Sequence, residues 1–438
     1  MRAVREHIVA ERPPLTLRSY RRLVTLATPF AQLLLADRLR RGKEHPARVG
    51  ERRGETQTKR PAGALIWAHG ASVGEMLALT PLLEHVRAKG FNVLLTSGTL
   101  TSARLAERRL PPGVIHQFVP FDAPRFIARF LGHWRPNLAL FAEQELWPNL
   151  IMESAARAIP LILVNGRLSE QSFMRWRYAR ATFAALLSRF DLCLAQSTVH
   201  ARRYCELGAP RVTVTGNLKL DVPAPAVNPQ TLSAMQASLG HRPIIAASST
   251  HPGEEGMVID AHRRLRRTFP GLVTLIAPRH PERGTDIAGL AEAAGLSAVL
   301  RSRGHLPDRH TEIYVADTIG ELGLLYRLSP MVFIGGSLVR HGGQNPVEAV
   351  KIGTAVLHGP HVSNFAEIYQ ALDAQHGAEQ VTDVNSLTVR LGTWLTDPAA
   401  CKAAREAAYK TIEPLGGALA RTLAALEPYL MQMQLEHG

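Results

Sequence analysis

Cysteine is scarce: the 438-residue chain holds only Cys193, Cys205 and Cys401, in no metal-ligand or disulfide spacing. Such usage fits a reducing compartment and assigns the thiols no chemistry. A Walker P-loop, a G-x-G-x-x-G after the first strand and a D-x-D are all absent, which disfavours the enzyme classes built on them. His251, His280, His341, His358 and His361 lack zinc-type spacing, so no dedicated metal is expected. Long apolar runs are missing too. The apolar stretch Leu23 to Ala36 has fourteen residues, whereas a membrane-crossing helix needs about twenty, and Pro29 would kink it. No small-residue cleavage site follows convincingly, so a secretory signal is disfavoured.

What is present is a globular composition, 46% hydrophobic and 20% charged, at a length that implies two domains. The net charge of +14 is uneven, for residues 1–60 carry 15 Lys and Arg against 6 Asp and Glu. Arg18, Arg21 and Arg22 precede the apolar stretch and Arg38, Arg40 and Arg41 follow it. That pattern predicts an interfacial helix on an anionic membrane surface; a core-packing helix with solvated basic ends is the competing reading. A nucleic-acid partner is not expected, because the basic surplus lies beside an apolar run without interleaved aromatics.

From residue 61, strand-like runs alternate with amphipathic segments, which predicts parallel doubly wound sheets. Expected strands are 65–68, 92–96, 114–119, 138–142, 161–164, 191–195 and 212–215, then 244–247, 272–277, 312–315, 331–334 and 355–357. One helix is expected over Glu170–Arg189. Three prolines between Asp221 and Gln230 read as a stiff linker. The expected division is a basic membrane-associating segment and connector (1–60), a first Rossmann-like domain (61–220), a linker (221–231), a second Rossmann-like domain (232–384) and C-terminal helices packing back across the domains (385–438).

Polar loops at strand ends carry the candidate chemistry. Leu65–Ala68 runs through Gly70, Ser72 and Gly74 into a helix whose first turn holds Glu75. That acid is either a helix-dipole partner or a carboxylate facing the ligand crevice at the strand ends. In the second half, Arg279, the Gly335-Gly336 turn and helix N-termini together read as an anion cradle for a nucleotide phosphate. Glu348, in the helix that Asn345 and Pro346 start, is placed for a ribose hydroxyl pair. Singly, Arg279 could pair with Glu282, the glycines could serve a turn, and Glu348 could be a dipole acid.

The motifs Gly70-Ala71-Ser72-Val73-Gly74-Glu75, Glu145-Leu146-Trp147-Pro148-Asn149, Gly216-Asn217-Leu218-Lys219, Pro278-Arg279-His280-Pro281-Glu282-Arg283, Asp317-Thr318-Ile319-Gly320-Glu321-Leu322 and Gly342-Gly343-Gln344-Asn345-Pro346-Val347-Glu348 occur in order. Together they closely resemble the 3-deoxy-D-manno-octulosonic acid (Kdo) transferases of lipopolysaccharide assembly. The resemblance implies the α/β GT-B fold, with two Rossmann-like domains facing each other across a cleft, plus an N-terminal membrane-associated helix. It implies CMP-Kdo as donor with no further cofactor, a lipid A precursor as acceptor, and the cytoplasmic face of the bacterial inner membrane as location. It makes Glu75 the general base and Glu145 and Lys219 transition-state stabilisers, with Glu143 the runner-up to Glu145. It makes Pro278, Arg279, Ile319, Gly320, Glu321, Asn345, Pro346, Val347 and Glu348 the CMP contacts. Two positions depart from the family pattern: Gln344 stands where many members have His, and Gln144 where many have Thr. The alternative is another GT-B enzyme, or an epimerase, acting on a UDP-sugar.

Overall fold

The computed structural model describes residues 13–221 and 224–437. The chain forms two compact units: the first runs to Asp221 and resumes at Gly416, and the second lies between them, up to Leu415. Residues 1–12 of the expected basic segment, 222–223 of the expected linker and the last residue lie outside the described part.

The first unit is built on seven parallel strands, β1 (Leu65–His69), β2 (Asn92–Ser97), β3 (Val114–Phe118), β4 (Leu138–Ala142), β5 (Leu161–Gly166), β6 (Leu192–Ala195) and β7 (Val212–Val214), in the order β3-β2-β1-β4-β5-β6-β7. Every residue of β1 and β4 is buried, as expected of parallel strands covered by helices on both faces. Alternation then divides the core. Leu65 and Trp67 join Phe130, Trp134, Phe141 and Phe190 on one face, whereas Ile66 and Ala68 join Leu79, Leu82, Leu140 and Leu194 on the other. The helix Ala418–His437 supplies Leu426, Leu430 and Met433 to that second face, so the chain end completes the first unit.

The second unit repeats the scheme with β8 (Ile244–Thr250), β9 (Val273–Pro278), β10 (Ala298–Leu300), β11 (Ile313–Val315), β12 (Met331–Ile334), β13 (Ala355–His358) and β14 (Ala378–Gln380), in the order β10-β11-β9-β8-β12-β13-β14. Both sheets reverse their winding direction beside a central strand, at β1/β4 and at β8/β12. In open α/β sheets ligands bind outside the carboxyl ends of the strands at such a point.

Two strands, β10 and β14, were not expected; each has three residues at a sheet edge, too few to show a period. The helix expected over Glu170–Arg189 is two, Glu170–Tyr178 and Arg180–Leu187, broken at Ala179 (φ −111°, ψ 32°). Of the expected linker, Pro229 opens the helix Pro229–Leu239, capped by Asn228.

The apolar N-terminal stretch is also divided. Helices Leu15–Ala27 and Ala31–Arg40 flank a 3-10 turn at Thr28–Phe30, where Pro29 interrupts the α-helical pattern. Leu17 and Leu35 are buried, but Leu23, Leu26, Phe30, Leu33 and Leu34 are between 52% and 73% exposed, so most of the apolar side chains do not enter a core. Among the described residues no helix is long and apolar enough to cross a membrane.

Candidate active site

In the first unit the loops after β1 and β4, on either side of the winding reversal, bring acids together. Ser72 caps the helix Val73–Ala88 as half of a capping box with Glu75. The Glu75 carboxylate accepts from the Ala71 amide at 2.8 Å and from the Ser72 hydroxyl at 2.7 Å. A Cβ on Gly70 would meet Glu75 Cβ at 3.2 Å, so a larger residue there would crowd the acid. Burial lifts the Glu75 carboxyl above its ordinary value; the Ser72 bond opposes this, and the Glu145 and Glu143 carboxylates add to it. The acid thus caps its helix while its surroundings favour a proton.

Glu143 leaves β4 with φ 52°, and Asn165, at the end of β5, has φ 56°. Non-glycine residues adopt this left-handed conformation rarely, and such residues cluster at functional sites. Glu143 Oε1 pairs with Lys219 Nζ at 2.5 Å. Lys219 lies in the 3-10 turn Leu218–Leu220 after β7, capped by Asn217. Glu145 takes different partners. The Trp147 indole donates to its Oε2 at 2.8 Å, and the fully buried His69 sets Nε2 3.6 Å from the same oxygen, beyond hydrogen-bonding length. Burial pushes the Glu145 carboxyl up, but His69 and Trp147 outweigh it and hold it below the usual range. The expected trio of Glu75, Glu145 and Lys219 thus gathers in one place, with the lysine tied to Glu143 rather than Glu145. His69 went unassigned in the sequence, because one buried histidine at a strand end carries no spacing signal.

In the second unit the expected nucleotide contacts lie in loops after β9, β11 and β12. Pro278 ends β9, and Arg279, exposed, is fixed by its backbone amide on Thr250 O at 3.0 Å. Ile319 is 68% exposed and Gly320 has φ 89°. The Glu321 carboxylate is held by Arg301 at 2.9 Å and by Thr318, and that arginine keeps it below the usual range. Asn345 Oδ1 accepts from the Val347 amide at 3.0 Å, Val347 is fully buried, and Glu348 sits in the first turn of Val347–Ile352.

One expectation needs correction. The Gly335-Gly336 turn is no open anion cradle, because the buried Glu254 carboxylate accepts the amides of Gly336 (2.7 Å), Ser337 (3.0 Å) and Leu338 (2.9 Å). The turn's amides are spent on an internal acid. Likewise Arg283 pairs with the buried Glu255, whereas Arg279 does not take Glu282, which lies 3.7 Å from His280. Among the described residues no three His, Cys, Asp or Glu side chains are grouped to hold a metal.

The same architecture occurs in solved structures. A putative UDP-N-acetylglucosamine 2-epimerase from Listeria monocytogenes aligns with 85% of this chain and 98% of its own, at 15% identity and TM-score 0.55. A glycosyltransferase from Rickettsia africae aligns with 84% and 99%, at 12% identity and TM-score 0.55. These likenesses establish the fold, two parallel-sheet α/β domains of GT-B type. Residues 47–222 match the family model described as 3-deoxy-D-manno-octulosonic-acid transferase (kdotransferase). A probable mitochondrial 3-deoxy-D-manno-octulosonic acid transferase of Arabidopsis thaliana is 38% identical over 84% of this chain and 85% of its own. The 3-deoxy-D-manno-octulosonic acid transferase of Haemophilus influenzae is 35% identical over 83% and 87%. With that identity sustained over most of both chains, the protein belongs to the 3-deoxy-D-manno-octulosonic acid transferase family of glycosyltransferases.

Proposed function

We propose that the chain transfers Kdo from CMP-Kdo to a lipid A precursor, lipid IVA, with inversion at the anomeric carbon and Glu75 as general base. The observation that carries this reading is the Glu75 carboxylate, pinned by Ser72 and Ala71 while burial and two neighbouring acids raise its proton affinity. An acceptor hydroxyl oxygen attacks the anomeric carbon and its proton passes to Glu75. The bond from that carbon to the phosphate oxygen breaks, and the electron pair leaves with CMP. Such a positioned base contributes about 10² to 10⁴ in rate. Lys219 and Glu145 stabilise the charge that develops. Pro278, Arg279, the amides of Ile319–Glu321, and Asn345–Glu348 hold the nucleotide, and Arg279 with those amides takes up charge on the departing phosphate without a metal.

The exposed apolar face of the N-terminal helices, flanked by arginines, lays the enzyme on the cytoplasmic face of the inner membrane, where an acylated acceptor resides.

Mass analysis of the product from CMP-Kdo and a tetraacylated lipid A precursor tests the reading. Wild type should add Kdo in the presence of a chelator, and Glu75→Gln should bind CMP yet add none. Binding of UDP in place of CMP would favour an enzyme of a UDP-sugar, and near wild-type turnover by Glu75→Gln would remove the base assignment.

A further inference from the structure

The loops at the second unit's winding reversal meet at a residue with no assigned role, His251. β8 ends in an irregularity: its register against β9 shifts between Ser248 and Thr250, and Ser249 has φ 54°. His251 follows directly. Its amide donates to Glu254 Oε2 at 2.9 Å, and Glu254 also binds the amides of Gly336, Ser337 and Leu338. One buried acid therefore fixes both loops that flank the reversal, and with them the imidazole. His251 is 5% exposed. The His341 ring lies 3.8 Å from it, tilted by 35°, and the His280 ring 6.0 Å away, nearly perpendicular. Gln344 Nε2 is 3.1 Å from His251 Nε2.

The charged neighbours weigh one way. Burial first, and then His341, His280, Arg279 and Arg283, bring the imidazole down to about 4. Of the nearby acids, Glu254 is spent on backbone amides, Glu255 pairs with Arg283, and Glu282 faces His280. The result is a rigidly held, nearly buried imidazole beside two more imidazoles and within the field of Arg279 and Arg283. An anion is the ligand that relieves this crowding.

Resting on the donor reading above, we propose that His251, with Gln344 and His341, seats the sugar carboxylate of the donor and is a specificity-determining residue for acidic nucleotide sugars. An ulosonic acid carries its carboxylate on the carbon undergoing substitution, next to the phosphate that leaves. The donor thus presents two anions at adjacent positions. Arg279, from the neighbouring strand end, takes the phosphate, and the His251 group takes the carboxylate, which neutral sugars lack. Discrimination follows, because a neutral sugar offers no carboxylate to the N–H groups of this cluster that remain free once Gln344 Nε2 has donated to His251 Nε2.

The test uses the full chain and compares CMP, which has the phosphate alone, with CMP-Kdo, which has both groups. His251→Gln and, separately, Gln344→Leu should keep the wild-type affinity for CMP within about twofold while raising KM for CMP-Kdo at least about tenfold. Thermal melting of both variants checks that they fold. Equal weakening of CMP and CMP-Kdo binding, or weakening of neither, in folded variants overturns the inference alone. A wild type that binds neither nucleotide removes the donor reading, and the inference with it.

Discussion

The Tyr20 hydroxyl donates to Asp122 Oδ2 at 2.9 Å, tying the N-terminal helix to the loop after β3. The same carboxylate accepts the amides of Asn149 (3.1 Å) and Leu150 (2.9 Å), at the start of the helix that follows Trp147. Arg21 pairs with Glu153 of that helix at 2.6 Å. Tyr20→Phe should therefore cost about 1 kcal/mol of stability and lower kcat several-fold, by loosening the Trp147 hold on Glu145. Trp147→Phe should do the same. In the double variant the losses should overlap rather than add, and a fully additive cycle in kcat would break the link.

Burial raises the Asp122 carboxyl to about 6, against the hydrogen bonds it accepts. A folded pKa above the unfolded value means that the folded state binds the proton more tightly. This group's contribution to stability is present below about pH 4 and lost as pH rises through about 6. Urea unfolding of the wild type from pH 4 to 7 should carry that decline, and Asp122→Asn should flatten it. An unchanged pH slope in the variant would refute the assignment.

Ser72→Ala removes the bond that opposes the rise of the Glu75 pKa. A general base works only when ionised, so the acidic limb of kcat/KM should move to higher pH in this variant. Loss of the cap should also cost about 1 kcal/mol in thermal unfolding. A limb that stays in place, or moves down, would count against Glu75 as the group that titrates.

Lys219→Met leaves Glu143, a half-buried acid, without its cation. Kdo transfer should fall about 10²-fold, since a preorganised charge has been removed. CMP binding, which the proposed function assigns to loops of the second unit, should be unaffected. Steady-state kinetics beside a CMP titration separates the two, and a parallel loss of CMP affinity would argue for a different role.

Leu26→Glu with Leu33→Glu places charge on side chains that are 73% and 68% exposed, so folding should change little. Sedimentation with vesicles containing anionic lipid should drop sharply, whereas transfer to a detergent-dispersed acceptor should persist. Undiminished vesicle binding would move the membrane contact elsewhere.

Much of this was legible in the chain because both sheets are parallel and covered on both faces. Buried strands such as Leu138–Ala142 and Met331–Ile334 appear as unbroken apolar runs, and the sequence bounds match the structure. The acids at 75, 143 and 145 stood out for the same reason, each following such a run. Pairing did not. That Lys219 meets Glu143 rather than Glu145 depends on side-chain direction after a left-handed residue, which no periodicity reports. Nor could spacing reveal that Glu254 fills the amides of the Gly335-Gly336 turn, 82 positions away from Gly336. The break at Ala179 was hidden because both flanking segments favour helix.

The helix Ala418–His437 covers one face of the first sheet. On a ribosome, residues 65–214 emerge long before it does, and the part of that core filled by Leu426, Leu430 and Met433 stays open while the whole second unit is made. The first unit to be synthesised is thus the last that can close, and a chain terminated before residue 418 should be handled by the cell as a nascent client of chaperones rather than as a smaller enzyme.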